Sequence, residues 1–159
     1  MTADDSWQDL PTFQFGDSRH MADRLAALVV ARLKTATCSA AVHGPDAAIG
    51  ERQVCLSGNG TPVAIIETTG LDTLPFSDVT SEMAALEGEG DLSHAYWRDG
   101  HEAFFTREGT WSPDMAVIFE TFSLVDILDL HFAAEAPRHV DAERAAAYAA
   151  GYKALGPNP

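Results

Sequence analysis

The sequence predicts an α+β fold in which a small curved sheet or barrel of five or six strands is flanked by two main helices, with a further helix at the C-terminus. Three observations predict it. Asp17 to Leu33 and Leu92 to Glu108 each repeat apolar residues at i, i+4, i+7 and i+8, the spacing of one buried helical face. Between them, Arg52 to Leu56 and Pro62 to Thr69 flank Ser57-Gly58-Asn59-Gly60, whose Asn and Gly suit the positive φ angles of a tight hairpin. After the second helix, Met115 to Val125 is apolar on both alternating faces, which places it inside a sheet. Periodicity does not distinguish a closed barrel from another α+β packing.

The chain has 159 residues, one domain's length, and 46% hydrophobic residues are enough to fill a core. With 24 acidic against 10 basic residues its net charge is -14, which repels polyanions at long range and argues against duplex DNA as a partner. Cys38 and Cys55 are too few and too plainly spaced for a zinc site or disulfide framework, so they read as reduced thiols of a cytoplasmic protein. Met1 to Asp9 is acidic, without the apolar segment of a signal peptide, and the longest apolar runs are broken by Glu, Asp or Arg, so no membrane span is expected.

Taken in order, Trp7, Leu10, Phe13 and Phe15 form an aromatic arm expected to pack over the first helix or the sheet. Asp17 and Ser18 are N-cap types, and Met21, Leu25, Leu28, Val29 and Leu33 make the buried face. Lys34 falls at the helix end, where carbonyls favour a cation, and Thr35-Ala36-Thr37-Cys38-Ser39 leads into a strand with little bulk over the backbone. That junction reads either as a solvated cap or as a pocket holding an ammonium and hydroxyls. His43, in a Gly-Pro-Asp loop, reads as a bystander, and Glu67 as a carboxylate reaching water at a strand end. Leu74 to Val79 passes through Thr80 into a short helix with Met83 and Leu86. Glu87-Gly88-Glu89-Gly90-Asp91 then sets three carboxylates around two glycines, a turn suited to aiming one carboxylate inward; Asp91 reads as the next N-cap and Glu89 as exposed. On the second helix Trp97, His101, Phe104 and Phe105 share a face, and Arg98 meets Glu102 at i+4. Trp111-Ser112-Pro113-Asp114 turns into the long strand. Asp141 to Leu155 reads as a helix and Gly156 to Pro159 as a frayed end.

Three stretches carry a resemblance. Lys34-Thr35-Ala36-Thr37 after an amphipathic helix, Gly88-Glu89-Gly90-Asp91-Leu92 followed by Tyr96-Trp97-Arg98 and His101, and Ser112-Pro113-Asp114-Met115 together resemble the ASCH domain, a relative of the PUA fold. The resemblance covers about Thr12 to Ile127, dividing the chain into a domain over 1–130, N-terminal arm included, and a helical extension over 131–159. It implies a PUA-like barrel with a cleft between barrel and helices. It also implies Lys34, Thr37 and Glu87 as catalytic residues, with Thr35, Ser39, Trp97, Arg98, His101 and Ser112 as substrate-binding ones. Arg32 departs from the pattern, standing where relatives usually carry glycine, as does Leu33, where they usually carry a basic residue.

The function that follows is an RNA-directed hydrolase, since the long Gly-Glu-Gly-Asp and Tyr-Trp-Arg pattern resembles the ASCH group that includes ribonucleases. Lys34 would stabilise phosphoryl charge there, with room for a divalent metal ion. The alternatives are an amidohydrolase of a modified nucleoside such as acetylated cytidine, with Thr37 as nucleophile beside Lys34 and Glu87, and a non-catalytic RNA-binding or nucleotide-sensing module. The expected partners are accordingly single-stranded RNA or a nucleoside or nucleotide.

Overall fold

Residues 7–155 are described by a computed structural model; the end expected to fray, 156–159, lies outside them. The elements run β1 (Thr12–Phe13), α1 (Arg19–Val30), β2 (Ala36–Ala40), β3 (Arg52–Leu56), β4 (Pro62–Pro75), α2 (Ser81–Leu86), α3 (His94–Glu108), β5 (Ala116–Ile127) and α4 (Leu130–Ala149). The strands form one sheet in the order β1-β3-β4-β5-β2, with β1 parallel to β3 and the other pairs antiparallel. The α+β architecture of five strands and flanking helices is thus the predicted one. Its hydrogen bonding leaves β1 and β2 at opposite ends of the sheet. Register shifts at Ile65/Ile66 and Thr68/Gly70 break the β4–β5 ladder twice, and such bulges bend and twist a long ribbon.

Each local element has a sequence cause. Ser18 caps α1 by accepting from Met21 N, and Thr80 caps α2 by accepting from Met83 N. In the β3–β4 turn only Gly60 takes a positive φ, 84°. Asn59 works instead through its side chain, its Oδ1 accepting from Ser57 Oγ at 2.6 Å and Thr61 Oγ1 at 2.8 Å. Two apolar clusters result. One joins α1 to the sheet and α4 through Phe15, Ala26, Val29, Val63, Ile66, Phe122 and Ala136, and the other joins α3 to β2 and β5 through Phe76, Val79, Trp97, Phe105, Val117 and Phe119.

Several boundaries differ from expectation. β4 continues to Pro75 because β5 pairs with it along that whole length, so of the stretch read as a lead-in to α2 Leu74 and Pro75 are strand, and Phe76–Asp78 form a 3-10 turn before the helix. Glu67 accordingly sits within the strand, paired with Arg52 at 3.0 Å. The cap of α3 is Ser93, which accepts from Tyr96 N, while Asp91 accepts from Ser93 N and from Ala154 N. The last helix begins at Leu130, capped by Asp129, and carries Pro137 inside it. Packing of Phe132, Ala133 and buried Ala136 against the first cluster supports a turn that proline propensity disfavours.

Candidate active site

The site begins where α1 stops. Val30 is its last residue, Arg32 turns the chain at φ 65°, and Leu33 N and Lys34 N both donate to Leu28 O, at 2.9 and 3.1 Å. Thr35 N then donates to Leu86 O at 2.8 Å, tying the start of β2 to the end of α2. Lys34 is therefore not a solvated helix cap. It lies beyond the helix with 1% of its surface exposed, directed into the acidic turn. That turn approaches so closely that a Cβ on Gly88 would lie 2.3 Å from Leu33 O, and Gly88 and Gly90 take φ of 73° and 60°.

The Lys34 ammonium donates to Glu89 Oε2 at 2.7 Å and Glu87 Oε1 at 3.2 Å. Glu87 is buried and also accepts from the Trp97 indole N–H, at 2.5 Å through Oε2, while His101 Nε2 stands 3.3 Å from its Oε1. His101 Nδ1 lies 2.8 Å from Trp97 O, an acceptor only, so Nδ1 carries a proton, and the Glu87 carboxylate facing Nε2 favours the charged ring. Phe15 closes the back of the cluster, its ring centroid 5.3 Å from Lys34 Nζ.

The electrostatics separate the two carboxylates. Burial would raise Glu87, but the charges of His101 and Lys34 and the hydrogen bonds of His101 and Trp97 outweigh it and hold the group down to about 2. Burial and the neighbouring Glu87 charge raise Glu89 above its ordinary value despite Lys34. Burial would lower Lys34 and His101, yet the facing carboxylates leave both raised. The two carboxylates thus differ in basicity, Glu87 being held as the anion and Glu89 being the more basic of the two.

A cavity of about 330 Å³ opens over this cluster, lined by Lys34, Thr37, Cys38, Glu87, Glu89 and His101, by the polar His20, Arg24, Tyr96 and Glu143, and by the apolar Phe15, Met21, Leu25 and Phe104. Glu143 comes from α4; its Oε2 accepts from Gly90 N at 2.8 Å and Tyr96 Oη at 3.3 Å, and its Oε1 faces Arg24 Nη1 at 3.4 Å. The Cys38 thiol is raised far from reactivity by burial and the Glu87 charge, and burial pushes Cys55 up to about 12.

Of the residues expected to act at the site, Lys34, Thr37, Glu87 and His101 line this cavity together. Trp97, Arg98, Thr35, Ser39 and Ser112 are not among its lining residues. Trp97 is 2% exposed, stacked 5.1 Å from Phe76 and 4.3 Å from His101, so its indole supports Glu87 and has no free face for a base. Arg98 points to solvent and pairs with Asp99 at 3.1 Å rather than with Glu102. Thr35 is exposed and donates through Oγ1 to Leu86 O, Ser39 lies on β2 opposite Ile118, and Ser112 donates to Asp114 in the turn before β5. Glu89, expected in solvent, is the closest partner of Lys34. His43 stays at the surface, paired with Glu108 at 3.3 Å. Arg24, Tyr96 and Glu143 were invisible as site residues because only the packing of α4 on α1 and α3 assembles them.

Glu87, Glu89 and His101 place three ligand-type atoms within 4.8 Å of one another, so a divalent ion is a natural question. The arrangement does not fit one. Lys34 Nζ already stands between the carboxylates, and an ion bound to them would face an ammonium that the same carboxylates keep protonated.

Comparison with known proteins gives a consistent answer. A family model described as the ASCH domain matches residues 11–126. Among solved structures, an Enterococcus faecalis protein superposes with a TM-score of 0.66 at 34% identity, covering 74% of this chain and 77% of that one. An ASCH domain from Lactobacillus crispatus superposes with a TM-score of 0.68 at 29% identity, covering 78% of this chain and 86% of the other. No functionally curated protein matches the chain. With the family model spanning most of its length, the chain belongs to the ASCH domain family.

Proposed function

We propose that the cavity is the active site of a hydrolase that cleaves an amide on a nucleoside-sized molecule, acetylated cytidine being the substrate class to test first. One observation carries the reading: Thr37, Lys34 and the Glu87–Glu89 pair, from separate segments, border a single cavity of about 330 Å³. That volume suits a small molecule rather than a polymer.

The chemistry follows from the groups present. Thr37 Oγ1 attacks the amide carbonyl carbon, the C=O electron pair moves to oxygen, and the Lys34 ammonium stabilises the oxyanion. Glu89, whose carboxyl is raised, takes the hydroxyl proton and passes it to the amine nitrogen as the C–N bond breaks. Water then hydrolyses the threonyl ester, returning Thr37 its proton and releasing the carboxylic acid. Glu87, its oxygens engaged by Lys34, His101 and Trp97, is the fixed anion that holds the ammonium in place.

The RNA-directed reading draws less support from the site. The cationic groups Lys34, Arg24 and His101 that line the cavity already face carboxylates, and the whole chain carries -14. The test is to incubate the protein with acetylated cytidine and, separately, with unstructured RNA, beside Thr37→Val. Deacetylation by the parent and a loss of at least about 100-fold in the variant is the expected result, the scale of removing one group that acts in the transition state. RNA cleavage without deacetylation, or full deacetylation by Thr37→Val, would overturn the proposal.

A further inference from the structure

The C-terminal helix lies outside the residues matched by the ASCH family model, yet it grips the turn that carries both carboxylates. Arg144 Nη1 donates to Gly88 O and Gly90 O, each at 2.7 Å. The residue before it, Glu143, accepts from Gly90 N at 2.8 Å. Consecutive α4 residues thus hold both ends of the backbone around Glu89, and the segment after α4 adds a third tie from Ala154 N to Asp91 Oδ2 at 2.9 Å. Among the described residues, no backbone N–H donates to those carbonyls. A turn with two positive-φ glycines in three residues has unusual conformational freedom, and a guanidinium bridging two of its carbonyls removes it.

We propose that Arg144 is a positioning residue for the active site: by bridging Gly88 O and Gly90 O it holds Glu89 against Lys34 and keeps the ammonium buried under the cavity. Its side chain is absent from the cavity lining, so its effect passes through the turn. Its catalytic consequence rests on the reading of the cavity as a hydrolase site, whereas its structural consequence does not. A lysine at 144 would present a flexible ammonium in place of the Nη1 of a rigid, planar guanidinium and restore the bridge only in part.

The chain's two lysines make the test direct. Lys34 is buried and Lys153 is exposed. Each is to be acylated with an N-hydroxysuccinimide ester and its labelling rate followed by mass spectrometry in the parent, Arg144→Ala and Arg144→Lys, with steady-state hydrolysis of acetylated cytidine measured in parallel. Arg144→Ala is expected to raise labelling of Lys34 at least about tenfold with Lys153 unchanged, to lower kcat about 10-fold to 100-fold with KM within a factor of about three, and Arg144→Lys to fall between, the scale a displaced positioning group costs. Unchanged Lys34 labelling in Arg144→Ala overturns the proposal, as does a parallel rise at both lysines, which would mark general loosening of α4. Exposed Lys34 with undiminished kcat overturns the catalytic consequence. A parent inactive on the amide would sink the hydrolase reading alone, because the labelling rates still decide whether Arg144 holds the turn.

Discussion

Replacing Lys34 by methionine tests the centre of the site most directly. The substitution keeps much of the side-chain volume and removes the charge that separates Glu87 from Glu89. A solvated helix-end lysine would be worth at most about 1 kcal/mol, but here the change leaves buried carboxylates without their cation, which costs about 3–5 kcal/mol. For a chain of this size each kcal/mol lowers the melting temperature by about 2–4 °C, so Lys34→Met should melt roughly 6–20 °C below the parent at pH 7.5. The deficit depends on pH with a definite sign. Without Lys34 the folded-state carboxyl values rise, and an acid whose folded value lies above its unfolded one destabilises progressively as pH climbs from the unfolded to the folded value and fully beyond it, so the deficit shrinks as pH falls towards the ordinary value of 4.5. Adding Glu89→Gln to Lys34→Met should recover part of the loss at pH 7.5. Thermal melts of the three proteins between pH 4.5 and 8.5, with amide hydrolysis measured where each is folded, make the assay, and turnover should fall about 100-fold to 1,000-fold. A melting temperature within a degree of the parent across that range would refute the buried ion-pair argument.

Trp97→Phe removes the indole donor to Glu87 Oε2 and should cost about 1–3 kcal/mol in denaturant titration, while Trp97→Leu also opens a gap beside Phe76 and His101 and should cost more, the reverse of what a base-stacking surface tryptophan would do. His101→Gln tests the imidazolium: because the folded value of His101 is raised above 6.5, its stabilisation is full below that pH and is lost as pH rises through the folded value, so the parent's advantage in melting temperature should be larger at pH 5.5 than at pH 9. Arg32→Gly should leave stability unchanged or raise it by up to about 1 kcal/mol by chemical denaturation, since relief of a left-handed backbone at φ 65° offsets glycine's greater unfolded-state entropy.

Much of the fold was legible in the chain because its signals are local. Ser18 and Thr80 cap helices by accepting from backbone N–H groups three residues on, the β3–β4 turn is set by Asn59 and Gly60, and the apolar face of α1 follows a 3.6-residue period. The full length of β4 was not legible, since Gly70 and Pro75 are poor strand residues alone and extend only because β5 is there to pair with them. Pro137 within α4 is of the same kind, a local preference outweighed by packing of Phe132 and Ala136.

The candidate site divides along the same line. The motifs that resemble the ASCH domain pointed to Lys34, Thr37, Glu87 and His101 as site residues, whereas residue types and spacing by themselves left Lys34 open between a solvated cap and a pocket ammonium. Which carboxylate faces inward was decided by tertiary structure: the close approach of Gly88 to Leu33 O directs both Glu87 and Glu89 towards Lys34, where sequence polarity put Glu89 in water. The role of Trp97 was decided in the same way, by Phe76 and His101 covering its faces and Glu87 taking its N–H. Glu143 and Arg144 carry no sequence signal of their function, being ordinary charged residues of an alanine-rich helix, and become part of the site only when α4 lies across α1. Charges acquire meaning from what they face once water is excluded, and that is a property of long-range packing that no local stretch of the chain contains.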